Sequence, residues 1–195
     1  MQLGLAALHD ASAVARLHRQ AIATGFLSSL GEPLLGEVYG AMTTSKDAFI
    51  VVAKVDGCVV GFAAATTRVG GFYRDFLRRR GLRSALLLVG QVKRPQVLFK
   101  IAETLLYPAK PGHGLPAAEL LSVVVASEHR QRDLGRQLFE HTRAEFARRG
   151  VERFKVVVGS GLEGARAFYT RMGGTLHGSL EVHRGTPSVA YVWPP

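Results

Sequence analysis

The stretch from Glu119 to Val158 constrains the fold most. Glu119 to Val125 is apolar and β-rich, Ala126 to Asp133 is polar, and Leu134 to Arg149 sets Leu134, Leu138, Thr142 and Phe146 along one helical stripe before Gly150 ends it. Arg153 to Val158 then reads as a buried strand. A strand-helix-strand unit with a right-handed crossover makes its strands parallel and leaves the helix N-terminus at the C-terminal end of the first strand. Unpaired amides and the positive end of the helix dipole make that terminus an anion site, and Arg130, Arg132 and Arg136 add charge beside it. A diphosphate suits such a place.

The rest of the chain supplies further strands and helices. Asp10 reads as the N-cap of a helix to about Ala23, and a second helix runs from Glu32 to Met42. Ala48 to Lys54 and Cys58 to Thr67 are strand patterns joined by Val55-Asp56-Gly57, a hairpin signal. Residues 68–115 read as a mostly helical, basic insertion, with Val97, Ile101 and Leu105 in helical spacing and Pro108, Pro111, Gly112 and Gly114 at its end. Ala165 to Met172 is a short helix, and two last strands flank an Arg184-Gly185 turn. The lone Cys58 has no disulfide partner and is expected to be a small buried hydrophobe.

At the anion site the sequence resembles the GNAT superfamily of acetyl-CoA-dependent N-acyltransferases. Its loop reads Gln or Arg, two variable residues, Gly, one variable residue, then Gly or Ala. Here Arg130-Gln131-Arg132-Asp133-Leu134-Gly135 matches at the first and last positions and places Asp133 at the middle glycine. Asp tolerates left-handed geometry, and its carboxylate is expected to compete with phosphate for the helix amides. Ala165-Arg166-Ala167-Phe168-Tyr169-Thr170-Arg171-Met172-Gly173 resembles the family's Ala-x-x-Phe-Tyr-x-Lys-x-Gly helix. The Asn that often precedes it is Leu162, and the Phe usual after its glycine is Gly174.

The resemblance implies one acyl-CoA N-acyltransferase domain over residues 1–195. Its α/β (α+β) fold is a mixed, mostly antiparallel central sheet of about six to seven strands flanked by helices, with a helical insertion before the fourth strand. Acetyl-CoA is the implied cosubstrate, with Val123, Val125, Arg130 to Arg136, Ala165 and Phe168 at its site, in a V-shaped gap between the strands at Glu119 and Arg153. Tyr169 would protonate the departing thiolate, although its helical spacing with Ala165, Phe168 and Met172 equally fits a core aromatic. Glu119 would be the base, or else pair with an Arg at the strand's rim. A base is needed because an aliphatic amine with a pKa near about 10 is mostly protonated at neutral pH. Strict alternation puts Glu119, Leu121, Val123 and Val125 on one face, and an amide near Val123 to Val125 would steady the oxyanion.

Of the formal net charge of +10, residues 68–115 carry +8, as ten basic residues against Asp75 and Glu103. The insertion is expected to cap the acceptor site together with Thr24 to Ser29, where its basicity mildly disfavours cationic acceptors, or to meet acidic lipid or an acidic partner. The alternative class is a non-catalytic acyl-CoA-binding or basic nucleic-acid or membrane-surface module, but the insertion lacks the aromatic interleaving of a nucleic-acid binder. Gly159-Ser160-Gly161-Leu162-Glu163-Gly164 also reads as a dinucleotide fingerprint, with too little chain after it for a nucleotide-binding half. The seven histidines show no metal-ligand spacing. A cytoplasmic monomer or homodimer without signal peptide, membrane span or metal is expected, acting on a small-molecule or peptide amine.

Overall fold

The computed structural model describes residues 1–22, 31–88, 114–130, 133–183 and 186–194. Its elements in chain order are β1 (Gln2–Leu5), α1 (Ala11–Ala21), α2 (Glu32–Thr43), β2 (Ala48–Val55), β3 (Cys58–Thr66), α3 (Val69–Leu88), β4 (Ala118–Val125), α4 (Leu134–Arg148), β5 (Phe154–Gly159), α5 (Glu163–Arg171), β6 (Thr175–His183) and β7 (Thr186–Trp193). The strands form one seven-stranded sheet in the order β1-β2-β3-β4-β5-β7-β6. Every neighbouring pair is antiparallel except β4 with β5. The mixed, mostly antiparallel sheet is as expected. The edge strand β1 was not foreseen, because four residues that are exposed or half-buried carry no alternation to read.

Central strands β2 and β3 are apolar from Ala48 to Ala53 and from Val60 to Ala65 because both faces are covered there. Phe49, Val51 and Ala53 join a core with α4 residues Leu138, Phe139 and Phe146. Ile50 and Val52 point the other way, into a core with Val14 of α1, Leu35 and Tyr39 of α2, and Phe72 of α3. The hairpin turn takes positive φ at Asp56 (49°) and Gly57 (79°), the conformation that an Asp-Gly pair favours. Cys58, directly after this turn, is exposed, not buried as expected. Pairing opposite Val55 at the end of the hairpin takes it beyond the helices.

Gly150 closes α4 at φ 71°, and the Val151 amide donates back to the Phe146 carbonyl (3.0 Å), a left-handed cap that satisfies carbonyls of the last turn. Of the expected insertion, α3 is described, and the readings at Val97, Ile101, Leu105 and the prolines lie outside the described residues, as do Thr24 to Ser29 and the Arg184-Gly185 turn. Among the described residues no helix is long and apolar enough to cross a membrane.

Gly174 has a packing reason. A Cβ built there would run into the indole of Trp193, which stacks on Phe154 at 5.2 Å and donates from Nε1 to the Met172 carbonyl (2.9 Å). The place after Gly173 where an aromatic side chain was expected is filled from β7 instead. Gly174→Ala should therefore destabilise the fold by about 1–3 kcal/mol through overpacking. Urea unfolding measures this, and an unchanged midpoint would mean the indole is not seated against Gly174.

Candidate active site

Strands β4 and β5 are joined at only two register positions, Ala118 with Phe154 and Glu119 with Lys155. Beyond them β4 continues along β3 to the Val125–Gly61 pair, and β5 continues along β7 to Gly159–Ser188. The parallel strands thus part after two rungs, leaving, among the described residues, an opening between the inner edges of Leu120 to Val125 and Val156 to Gly159. Backbone groups left by a ladder need other partners or a ligand. The Val125 carbonyl has one, since Arg130 Nε donates to it at 3.2 Å.

The outer edge of β4 carries a bulge. Ser122 pairs with Ala64 but Leu120 pairs with Ala65, so Leu121 is an extra residue in the ladder. The bulge reverses the alternation expected for this strand. Leu120, Val123 and Val125 pack on the α4 face, whereas Leu121 and Val124 pack on the face covered by α1, α2 and α3. Glu119, Leu121, Val123 and Val125 therefore do not share a face, because one inserted residue changes the phase of everything after it.

Past the opening lies the start of α4. Asp133 takes the left-handed conformation, φ 59° and ψ 9°, so the carboxylate residue adopts the backbone shape that a glycine would supply. Its side chain makes no cap bond with the helix. It turns instead onto Arg136, whose Nε donates to Oδ1 at 2.9 Å and Oδ2 at 2.8 Å. The expected competition for the amides does not occur. This pairing holds the Asp133 carboxyl below the usual carboxylate range. First-turn amides have no acceptor inside a helix, which leaves this terminus able to take an anion. Arg136 brings less net charge than expected, since Asp133 balances it. Gly135 keeps the terminus bare, and Phe168 of α5 lies 3.6 Å from where its Cβ would be. Gln131 and Arg132 lie outside the described residues.

On the α4 face, α5 brings Ala165, Phe168 and Tyr169 against the core. The Tyr169 ring sits among Phe168 (5.1 Å), Trp193 (5.8 Å), Phe139 and Tyr191 (both 6.3 Å). The ring packs in the core, and burial raises its phenol pKa so that it stays protonated. Leu162, in the place of the usual Asn, is exposed and caps α5 without a side-chain bond. The glycine fingerprint is the turn from β5 into α5, and the described strands that follow it, β6 and β7, pair antiparallel, unlike the parallel strands of a nucleotide-binding half.

The opposite face of β4 is polar on either side of the bulge. Glu119 is 6% exposed and pairs with Lys155 Nζ at 3.3 Å. This partner is a lysine from β5, where the alternative to a base role was an arginine at the rim. Tyr73 of α3 lies near enough that burial and the Glu119 charge both raise its phenol pKa. Further along, the Tyr39 hydroxyl bonds the Ser122 hydroxyl and lies 2.5 Å from His18 Nδ1. Burial lowers the His18 pKa to about 4, so the ring is neutral near pH 7. Lys155, Tyr73, Tyr39 and Ser122 were missed as site residues. For Lys155 the signal was present: it is a charge set between Phe154 and Val156 inside a strand pattern read as buried. Among the described residues no group of three or more His, Cys, Asp or Glu could hold a metal.

Residues 19–174 match the family described as "Acetyltransferase (GNAT) family". Several solved structures share the fold over nearly the whole chain. An aminoglycoside 6'-acetyltransferase type Ii is 16% identical, with a TM-score of 0.63 covering 100% of this chain and 97% of that one. The ribosomal-protein-S18-alanine N-acetyltransferase from Escherichia coli is 14% identical, with a TM-score of 0.60 over 99% and 92%. An acetyltransferase from Thermus thermophilus is 17% identical, with a TM-score of 0.59 over 100% and 98%. No curated protein matches the sequence.

The left-handed backbone at Asp133 makes a testable statement about residue type. Asp133→Gly should leave the denaturation midpoint unchanged or raised, whereas Asp133→Ala should lower it, because alanine lacks both a polar side chain and conformational freedom at positive φ. Equal midpoints would show that this residue does not hold positive φ.

Proposed function

This chain belongs to the GNAT acetyltransferase family, and on that footing we propose that it transfers an acetyl group from acetyl-CoA to the amine of a small-molecule or peptide acceptor by direct attack. The reading takes the whole chain as one catalytic domain working in the cytoplasm, as a monomer or homodimer. One observation carries it: an opening between parallel strands leads to a helix terminus whose Asp133 carboxylate is turned away from the first-turn amides. A diphosphate fits that terminus, and an extended pantetheine fits between strand edges that offer backbone donors and acceptors.

In this reading the α4 terminus and Gly135 hold the diphosphate, with Arg130 alongside, and Val123 to Val125 present backbone to the pantetheine arm and the oxyanion. Glu119 takes a proton from the acceptor ammonium. The neutral amine nitrogen then adds to the thioester carbonyl, and the tetrahedral oxyanion collapses with loss of the C–S bond as Tyr169 gives its proton to the leaving thiolate; the second amine proton leaves the new amide nitrogen for solvent, and solvent returns a proton to Tyr169. Glu119 lies on the face covered by α1, α2 and α3, and Tyr169 on the α4 face, so the base and the acid approach from opposite sides of the sheet.

The test is turnover, measured as release of the CoA thiol, on three amines: a peptide beginning with alanine, kanamycin and spermidine. Acetyl-CoA should raise the melting temperature with the logarithm of its concentration above Kd, reaching about 2.7 kcal/mol of stabilisation at a hundredfold excess over Kd. Glu119→Gln should lower kcat/KM by about 10²–10⁴-fold and leave a rate that climbs with pH as the free amine grows. Tyr169→Phe should lower kcat with little change in the KM for acetyl-CoA. Stabilisation without turnover on any amine would favour a non-catalytic acyl-CoA-binding module, and full turnover by Tyr169→Phe would remove it as the acid.

A further inference from the structure

Lys155 is 7% exposed, in an inner strand, at the last rung before β4 and β5 part. Its ammonium is held at two points. It donates to the Pro116 carbonyl, just ahead of β4, at 2.7 Å, and it lies 3.3 Å from Glu119 Oε2. The same rung places Glu119 opposite Thr66 of β3, which is fully buried. Taking two charges out of water costs several kcal/mol per ion, and well-packed apolar residues often serve stability as well or better. Fold stability alone is therefore a poor reason for a charge pair here.

We propose that Lys155 is a positioning residue that keeps Glu119 ionised and fixed at the point where the two strands separate. This rests on Glu119 acting as the base. Among the described residues, the charged and titratable groups seen facing Glu119 are Lys155 from β5 and Tyr73 from α3, with Tyr39 of α2 and His18 of α1 next along the same face. The two tyrosines and His18 are neutral near pH 7, because burial raises the phenols and lowers the imidazole. Among these neighbours Lys155 supplies the positive charge. Near the base the same charge disfavours a protonated acceptor amine, which helps the amine give up its proton.

The experiment compares pH profiles of kcat/KM for wild type, Lys155→Gln, Lys155→Arg, Glu119→Gln and the double variant Glu119→Gln/Lys155→Gln, with whichever of the three amines turns over. Glutamine keeps a donor for both oxygens but no charge, and the double variant leaves no buried charge unmatched. Removing an opposite charge raises a carboxyl pKa, so the acid limb should move to higher pH by about one unit or more in Lys155→Gln and stay in place in Lys155→Arg. The double variant should be no slower than Glu119→Gln by more than about threefold, since Lys155 acts through Glu119. A limb that does not move in Lys155→Gln, or losses that multiply in the double variant, would overturn the proposal. A ¹³C NMR titration of the side-chain carboxyls, with Glu119 assigned from Glu119→Gln, separates the two levels. If Glu119→Gln keeps full turnover and an unchanged pH profile, the base reading fails. The titration still decides whether Lys155 holds Glu119 ionised.

Discussion

Two rungs hold β4 to β5, and the rest of the site follows from the fact that there are only two. A parallel pair that stayed in register would bury its edge amides and leave no room between the strands. Because β3 and β7 draw the two strands apart after Glu119 and Lys155, the sheet gains an inner edge. The α4 helix, fed directly from the end of β4, brings its N-terminus to the mouth of that edge. The opening and the anion site are thus one feature of connectivity, seen at its two ends.

The bulge at Leu121 decides which side chains meet on each side of the opening. In a regular strand Glu119 and Ser122 would lie on opposite faces. The extra residue lets Ser122 reach Tyr39 on the helix-covered face that also carries Tyr73 near Glu119. It also sends Val123 and Val125 to the α4 face, with Tyr169. Glu119, Ser122 and the Tyr39 and Tyr73 hydroxyls gather on one side, and Tyr169 lies on the other. That division suits a reaction that removes a proton from the acceptor and returns one to a thiolate.

Much of this was legible in the chain. The continuous apolar runs of β2 and β3, the Asp-Gly turn, the stripe along α4 and its glycine stop were read because each follows from local pattern, and all are present. What escaped the reading depends on pairing between distant residues. Nothing in Leu120-Leu121-Ser122-Val123 marks a bulge, since the bulge exists only relative to β3. Cys58 looks like a core residue until its rung at the end of the hairpin is known. Asp133 was read correctly as tolerant of a left-handed turn, but its carboxylate went to Arg136, a choice of rotamer that local sequence leaves open. Gly174 looked like a lost aromatic, and only the fold shows Trp193 standing in its space.

The central claim is that coenzyme A lies between β4 and β5 with its diphosphate on the α4 terminus. Amide hydrogen exchange followed by NMR, with and without coenzyme A, tests it residue by residue. The account predicts slowed exchange at the first-turn amides of α4, Leu134 to Arg136, and along the inner edge of β4 from Leu121 to Val125, with β1 and β2 unchanged. Protection confined to the Gly159–Gly164 turn, or none at saturating coenzyme A, would contradict it.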